Sequence, residues 1–192
     1  RSSRGSSNGY GFPNALSNQS NELDNDIVTV SQVQVALLAQ TKGLQSQLSE
    51  LTLKVDTTTS EGLLELLQES ALVLLRTPET WSHVSASSQS LPIDKAEPIF
   101  NQLSLRERSK FNAETLTNVG GRIGRKAAVI PGLKEDPAAY IVVTLLVGTA
   151  DDHPLFKEVR SPEALKEALE KVASLSPDYL MKFELLWSPQ VE

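Results

Sequence analysis

Tyr140-Ile141-Val142-Val143-Thr144-Leu145-Leu146-Val147 is apolar at every position but Thr144. Neither of its two alternating sets of side chains belongs in water, so it reads as a central strand covered on both faces. The run is far short of the ~20 apolar residues a membrane-spanning helix needs. Downstream, Ser161 as N-cap, Pro162 in the first turn and Glu163 at the positive helix end open a helix whose apolar face is Leu165, Ala168, Leu169 and Val172. Tyr179, Met181, Phe183, Leu185 and Trp187 then alternate with Leu180, Lys182, Glu184 and Leu186, and Pro189 closes that strand. Together these segments predict a C-terminal β-α-β unit, with a right-handed crossover if its strands are parallel neighbours.

Upstream of the central strand, Val33, Val35 and Leu37 alternate with Gln32, Gln34 and Ala36 between Ile27 and Ala39, the pattern of a first strand with one buried face. Leu44, Leu48, Leu51 and Val55 recur at helical spacing. Thr58 and Glu61 have capping-box spacing at the head of a Leu-dense helix that runs to the stop at Pro78 and is apolar on more than one face. Trp81 to Ser90 reads as an extended edge segment. Ile93, Ala96, Ile99, Phe100 and Leu103 mark a helix that Pro98 should bend or shorten, and the capping pair Ser104 and Glu107 opens another toward Phe111 and Leu116. Gly120, Gly121 and Gly124 end that helix, leaving a loop to Pro137. The expected architecture is α+β: a small mixed sheet of three to four strands packed with about five helices.

With 192 residues and 40% hydrophobic content, the chain can bury one core. Residues 27–190 are expected to form one domain. Residues 1–26, rich in Ser, Asn and Gly, read as a flexible linker, and Arg1 and Arg4 are the pattern expected on the cytoplasmic side of a hydrophobic anchor lying ahead of the chain. Eighteen Lys and Arg against 24 Asp and Glu give a formal charge of −6, which argues against nucleic acid as a partner of the whole domain. The absence of cysteine excludes disulfides, thiolate metal sites and thiol catalysis.

Only two histidines are present, His83 and His153, and no Gly-x-Ser-x-Gly elbow accompanies them, which disfavours a Ser-His-Asp hydrolase. Asp151, Asp152 and His153 could offer metal ligands but lack EF-hand or zinc spacing, so no metal or cofactor is expected. Glu65, Glu69, Asp94 and Glu97 could supply paired carboxylates for acid-base catalysis, and Glu65 and Glu69 share a helical face, but no third group accompanies them. The densest charge feature is basic. Arg106, Arg108, Lys110, Arg122, Arg125 and Lys126 fall within 21 residues, partly offset by Glu107 and Glu114, and form the candidate binding patch for an acidic partner, phosphate or lipid headgroups.

Several segments in order carry a resemblance: Val33-Gln34-Val35-Ala36-Leu37-Leu38, Ser60-Glu61-Gly62-Leu63, Ala71-Leu72-Val73-Leu74-Leu75-Arg76, Phe100-Asn101-Gln102-Leu103, Glu107-Arg108-Ser109-Lys110-Phe111, the Tyr140 strand and Leu185-Leu186-Trp187-Ser188-Pro189-Gln190. This set resembles a domain-of-unknown-function family of cyanobacteria and chloroplasts that includes the plant fluctuating-light acclimation protein. The resemblance implies a thylakoid or chloroplast-envelope membrane setting, a hydrophobic segment ahead of the domain and a role in adjusting photosynthesis to changing light. It implies no catalytic residues. The expectation is a non-enzymatic, membrane-tethered interaction domain with a protein partner; the alternative is a small-molecule or lipid-binding regulator with a pocket between the Leu-rich helix and the sheet.

Overall fold

The computed structural model describes residues 26–39, 41, 43–119 and 140–189, without the side chains of 111–119. The sequence-predicted linker apart from Asp26, the Gly120–Pro137 loop, Arg122, Arg125, Lys126 and the side chains of Phe111 and Leu116 therefore lie outside the described residues. The elements run β1 (Ile27–Leu38), α1 (Leu44–Lys54), α2 (Ser60–Leu75), a 3-10 turn (Pro78–Thr80), β2 (Trp81–Pro92), α3 (Ile93–Val119), β3 (Tyr140–Thr149), α4 (Pro162–Ala173) and β4 (Leu180–Ser188).

The strands form one sheet in the order β2-β1-β3-β4, and all three pairings are antiparallel. The class is α+β as expected, but the sheet is not mixed. The chain explains why. After β3, Val159 reaches β2 at the far edge and bridges Ala86, and α4 then brings the chain back to β4, whose Leu180 starts opposite Thr149 at the end of β3. This return to the same end of the sheet makes β3 and β4 antiparallel, so the handedness rule for parallel crossovers does not apply.

β3 is buried along its whole length, as its composition requires. One face carries Val33, Val35 and Leu37 of β1 beside Ile141, Val143, Leu145 and Val147 of β3, packed with residues of α1, α2 and α4 in the main core. On the opposite face Val28, Val30, Leu146 and Leu186 pack with Ala96 and Phe100 of α3. Helices thus lie on both sides of the sheet. β1 is consequently buried on both faces, Gln34 and Ala36 included, and not on one as its alternation suggested. Its polar alternate Gln34 faces α3, not water.

The two helices expected on either side of Ser104 are a single α3 that contains Pro98. Pro98 removes only the bond its N–H would have given to the Asp94 carbonyl, and both residues are exposed, so water can satisfy that oxygen. Among the described residues this merger brings the α-helix count to four.

At the start of α2 the cap is Thr59, not Thr58: the Thr59 hydroxyl accepts from the Gly62 N–H at 3.0 Å. Thr58 is engaged elsewhere, its hydroxyl donating to Asp56 Oδ1 at 2.5 Å and its N–H to the same oxygen at 3.0 Å. The first and then the second of these bonds hold the Asp56 carboxyl below its ordinary 3.8. Because the folded value is the lower one, the linked stability is present above the unfolded value and is lost as pH falls through the folded value. In an NMR titration Asp56 should therefore reach its midpoint at lower pH than an unstructured aspartate, and Thr58→Ala should return it toward 3.8. A glycine is required at 62 for space: a Cβ there would overlap the Asp56 carbonyl, which is backbone and cannot swing aside. Gly62→Ala should destabilise the domain by about 1–3 kcal/mol, measured by urea unfolding, despite alanine's better helix propensity.

Candidate functional site

Two regions have polar or open chemistry that the core does not use. The first is the seam where α3 crosses the sheet. Gln34 stands mid-sheet between Ser85 of β2 and Thr144 of β3. Its side-chain amide donates to Glu107 Oε1 at 2.7 Å and to Thr144 Oγ1 at 3.1 Å. Glu107, only 3% exposed, also pairs through Oε2 with Lys110 at 2.8 Å, one helical turn on. Both amide protons of Gln34 and both oxygens of Glu107 are thereby engaged, as burial of such groups demands. One turn earlier the Ser104 hydroxyl donates to Glu184 of β4 at 3.1 Å and accepts from Arg108, which is ion-paired with the same Glu184. Ser104 and Glu107 therefore bind the sheet and do not form the capping pair their spacing suggested.

This seam changes how the candidate basic residues appear. Arg106 is exposed. Arg108 is tied to Glu184 and Lys110 to Glu107, so each of these two cations sits against a carboxylate. Residues two apart on a helix do not share a face, which separates Arg108 from both Arg106 and Lys110. The structure does not gather these three into a common unpaired patch. Glu107, Gln34 and Thr144 could not be recognised as a group from sequence, because they come from three elements 73 and 110 residues apart along the chain.

The second region is the outer edge of β2. A groove of about 510 Å³ runs along it, with Trp81, Val84 and Val159 on the side of the main core and Gln34, His83 and Ser85 on the side of α3. At its rim Arg160 and Glu158 pair with each other at 2.7 Å. His83 lies edge-on to Tyr140, with ring centroids 6.0 Å apart, and its Nδ1 lies 2.8 Å from the hydroxyl of Ser82, its neighbour in sequence. His153 is at the opposite end of sheet and loop, its Nδ1 2.9 Å from Asp152. The Asp151 to His153 turn is pinned through its main chain, with the carbonyls of Asp151 and His153 at 2.8 and 3.1 Å from the Thr29 hydroxyl. Among the described residues no group of three or more His, Asp or Glu side chains is placed to hold a metal, and no helix is long and apolar enough to cross a membrane. The paired carboxylates of α2, Glu65 and Glu69, are on the other side of the sheet from Asp94 and Glu97 of α3. Between α2 and the sheet, where a ligand pocket was expected as the alternative, Leu67, Ala71 and Leu74 are fully buried against the core.

No solved structure matches the chain significantly. Two curated proteins are similar to it. "Protein FLAP1 homolog A" of Synechocystis is 40% identical over 172 residues, covering 86% of this chain and 51% of that protein. "FLUCTUATING-LIGHT-ACCLIMATION protein 1, chloroplastic" of Arabidopsis thaliana is 39% identical over 170 residues, covering 88% of this chain and 43% of that protein. The chain thus spans about half the length of these relatives. Residues 27–192 match the family described as "Protein of unknown function (DUF1517)", from the first residue of β1 to the end of the chain. The resemblance carried by the strand and helix segments is therefore a kinship: this chain belongs to the DUF1517 family.

Proposed function

We propose that this domain is a non-catalytic regulatory and interaction module, tethered to the photosynthetic membrane of a cyanobacterium or chloroplast, that helps adjust photosynthesis to changing light. The observation that carries this reading is the 39–40% identity, over more than four fifths of the chain, to proteins of which one is named for acclimation to fluctuating light and the other as its homolog. The tether belongs to a segment outside this chain and the partner is a protein at the same membrane. The non-catalytic part of the proposal draws on side-chain chemistry. Each histidine has its sequence neighbour among its polar contacts, Ser82 for His83 and Asp152 for His153, and neither of these two contacts builds a base, an orienting group and an oxyanion donor around one point.

The test is physiological. Cells lacking the full-length protein are stepped between low and high light while chlorophyll fluorescence follows dissipation of absorbed energy. The expected result is altered onset or relaxation of dissipation, restored by the full-length protein and not by a version lacking residues 27–190. Unchanged kinetics in cells without the protein would refute the proposal.

A further inference from the structure

The corner where β3 leaves the sheet holds oxygen atoms that the fold does not satisfy. Thr149 ends β3 directly opposite Thr29 of β1, so the two side chains stand side by side on the face of the main core, and both residues are fully buried. Thr149 Oγ1 has no hydrogen-bond partner. Two residues on, in the strap that leads from β3 to the bridge at Ala86, the carboxylate oxygen Asp151 Oδ2 is buried and also has no partner. Among the described residues no Lys or Arg pairs with Asp151. A buried carboxylate oxygen with neither a donor nor a counter-charge is costly, and one in a native fold implies an occupant beside it.

The main chain supplies further lone pairs at the same corner. The Thr29 hydroxyl lies 2.8 Å from the Asp151 carbonyl, 3.1 Å from the His153 carbonyl and 2.7 Å from the Ser90 hydroxyl. It has one proton to divide between the two carbonyls. The Asp151 carbonyl has no other donor among the described residues and therefore keeps a lone pair. A single water bridging Thr149 to Asp151 would supply protons but would leave the charge of the carboxylate unopposed. A cation opposes it. Side-chain spacing could not reveal this set, because one donor is main chain and another belongs to the sheet.

We propose that this corner binds a hard cation, calcium in preference to magnesium, through Asp151 Oδ2, the Asp151 carbonyl and Thr149 Oγ1, with water completing its shell. All three donors are oxygens, which suit hard cations. Calcium accepts irregular sets of about six to eight oxygens, whereas magnesium demands a near-ideal octahedron and gives up its water reluctantly. Thr149 belongs to the sheet and Asp151 to the strap, so the bound ion fastens to the sheet the strap that carries Val159 to the edge of β2. The proposal goes beyond the interaction-module reading and does not rest on it.

The probes are calcium chloride and magnesium chloride, added separately to the whole chain after treatment with a chelator, and terbium as a luminescent stand-in for calcium. With a single carboxylate the site should lie at the weak end of calcium sites, with a Kd of about 10⁻⁴–10⁻³ M. Saturating calcium should raise the unfolding midpoint, equal magnesium should raise it less, and calcium should displace bound terbium. Asp151→Asn, nearly unchanged in size, should weaken calcium binding about tenfold or more, because affinity follows the charge of the ligands, whereas Asp152→Asn should leave it within about threefold. Thr149→Val should weaken binding as well without destabilising the calcium-free chain, since it removes a buried hydroxyl that has no partner. If the unaltered chain shows no calcium-dependent shift and no displaceable terbium, as a bridging water alone would give, the inference is overturned. Calcium binding that Asp151→Asn leaves unchanged overturns it too, because the ion then sits elsewhere. The unaltered chain decides the first outcome even if a variant fails to fold.

Discussion

Phe100→Ala is expected to destabilise the domain by about 3–5 kcal/mol, the cost of removing a fully buried aromatic ring together with the cavity it leaves. Phe100 is fully buried and joins α3 to Val28, Val30, Leu146 and Leu186 across three strands. The cluster on this face has six buried members, far fewer than the main core, so α3 depends on a small number of apolar contacts. The loss should fall unevenly. Hydrogen exchange should accelerate most in α3 and least in β3, whose other face stays covered by α2 and α4. Equal acceleration in both would mean that α3 and the sheet unfold only as one cooperative unit.

Glu107→Ala should cost about 2–3 kcal/mol. Breaking a buried charged pair usually costs more, but Lys110 keeps enough exposure to reach water, and most of the cost falls on the amide of Gln34, which loses one acceptor inside the sheet-helix seam. Glu107→Gln keeps an acceptor oxygen for Gln34 and should cost less. Gln34→Ala combined with Glu107→Ala should destabilise by clearly less than the sum of the single changes, because the second removes a partner already lost. Chemical denaturation of the four proteins checks this, and strict additivity would show that the seam does not act as a network. The same bonds fix the position of α3: a slide along the sheet would strand Gln34 and Glu107 together.

Much of the fold can be read directly from local pattern. The unbroken apolar run at Tyr140 identifies a strand with two covered faces, and Ser161-Pro162-Glu163 identifies a helix start that tertiary context did not alter, the Ser161 hydroxyl accepting from the Ala164 N–H at 3.2 Å. Misreadings occurred where a residue's chemistry is spent at long range. Gln34 and Ala36 look like the wet side of a strand, but α3 and the neighbouring strands cover them. Ser104 and Glu107 have the spacing of a cap, but their partners are Glu184 and Gln34. Thr58 looks like a cap and serves Asp56 instead. Parallel or antiparallel pairing of β3 and β4 depends on where the intervening chain travels, and no local period encodes its excursion to Ala86. The β2 groove is hidden for the same reason: Val159 lies in an irregular stretch and becomes a wall only by bridging the edge strand. The basic residues were legible as a cluster in sequence, but the carboxylates that pair with Arg108 and Lys110 were not legible as their partners.

The most direct test of the central claim, that this domain engages a protein partner at the photosynthetic membrane as light changes, is crosslinking mass spectrometry on the full-length protein in native membranes at low and at high light. Lys157, in the segment that closes the β2 edge, is the reporting side chain. The account predicts reproducible crosslinks from Lys157 to one membrane complex, with yields that change with light. Good peptide coverage of the domain with no crosslink to any other protein in either light condition would contradict it.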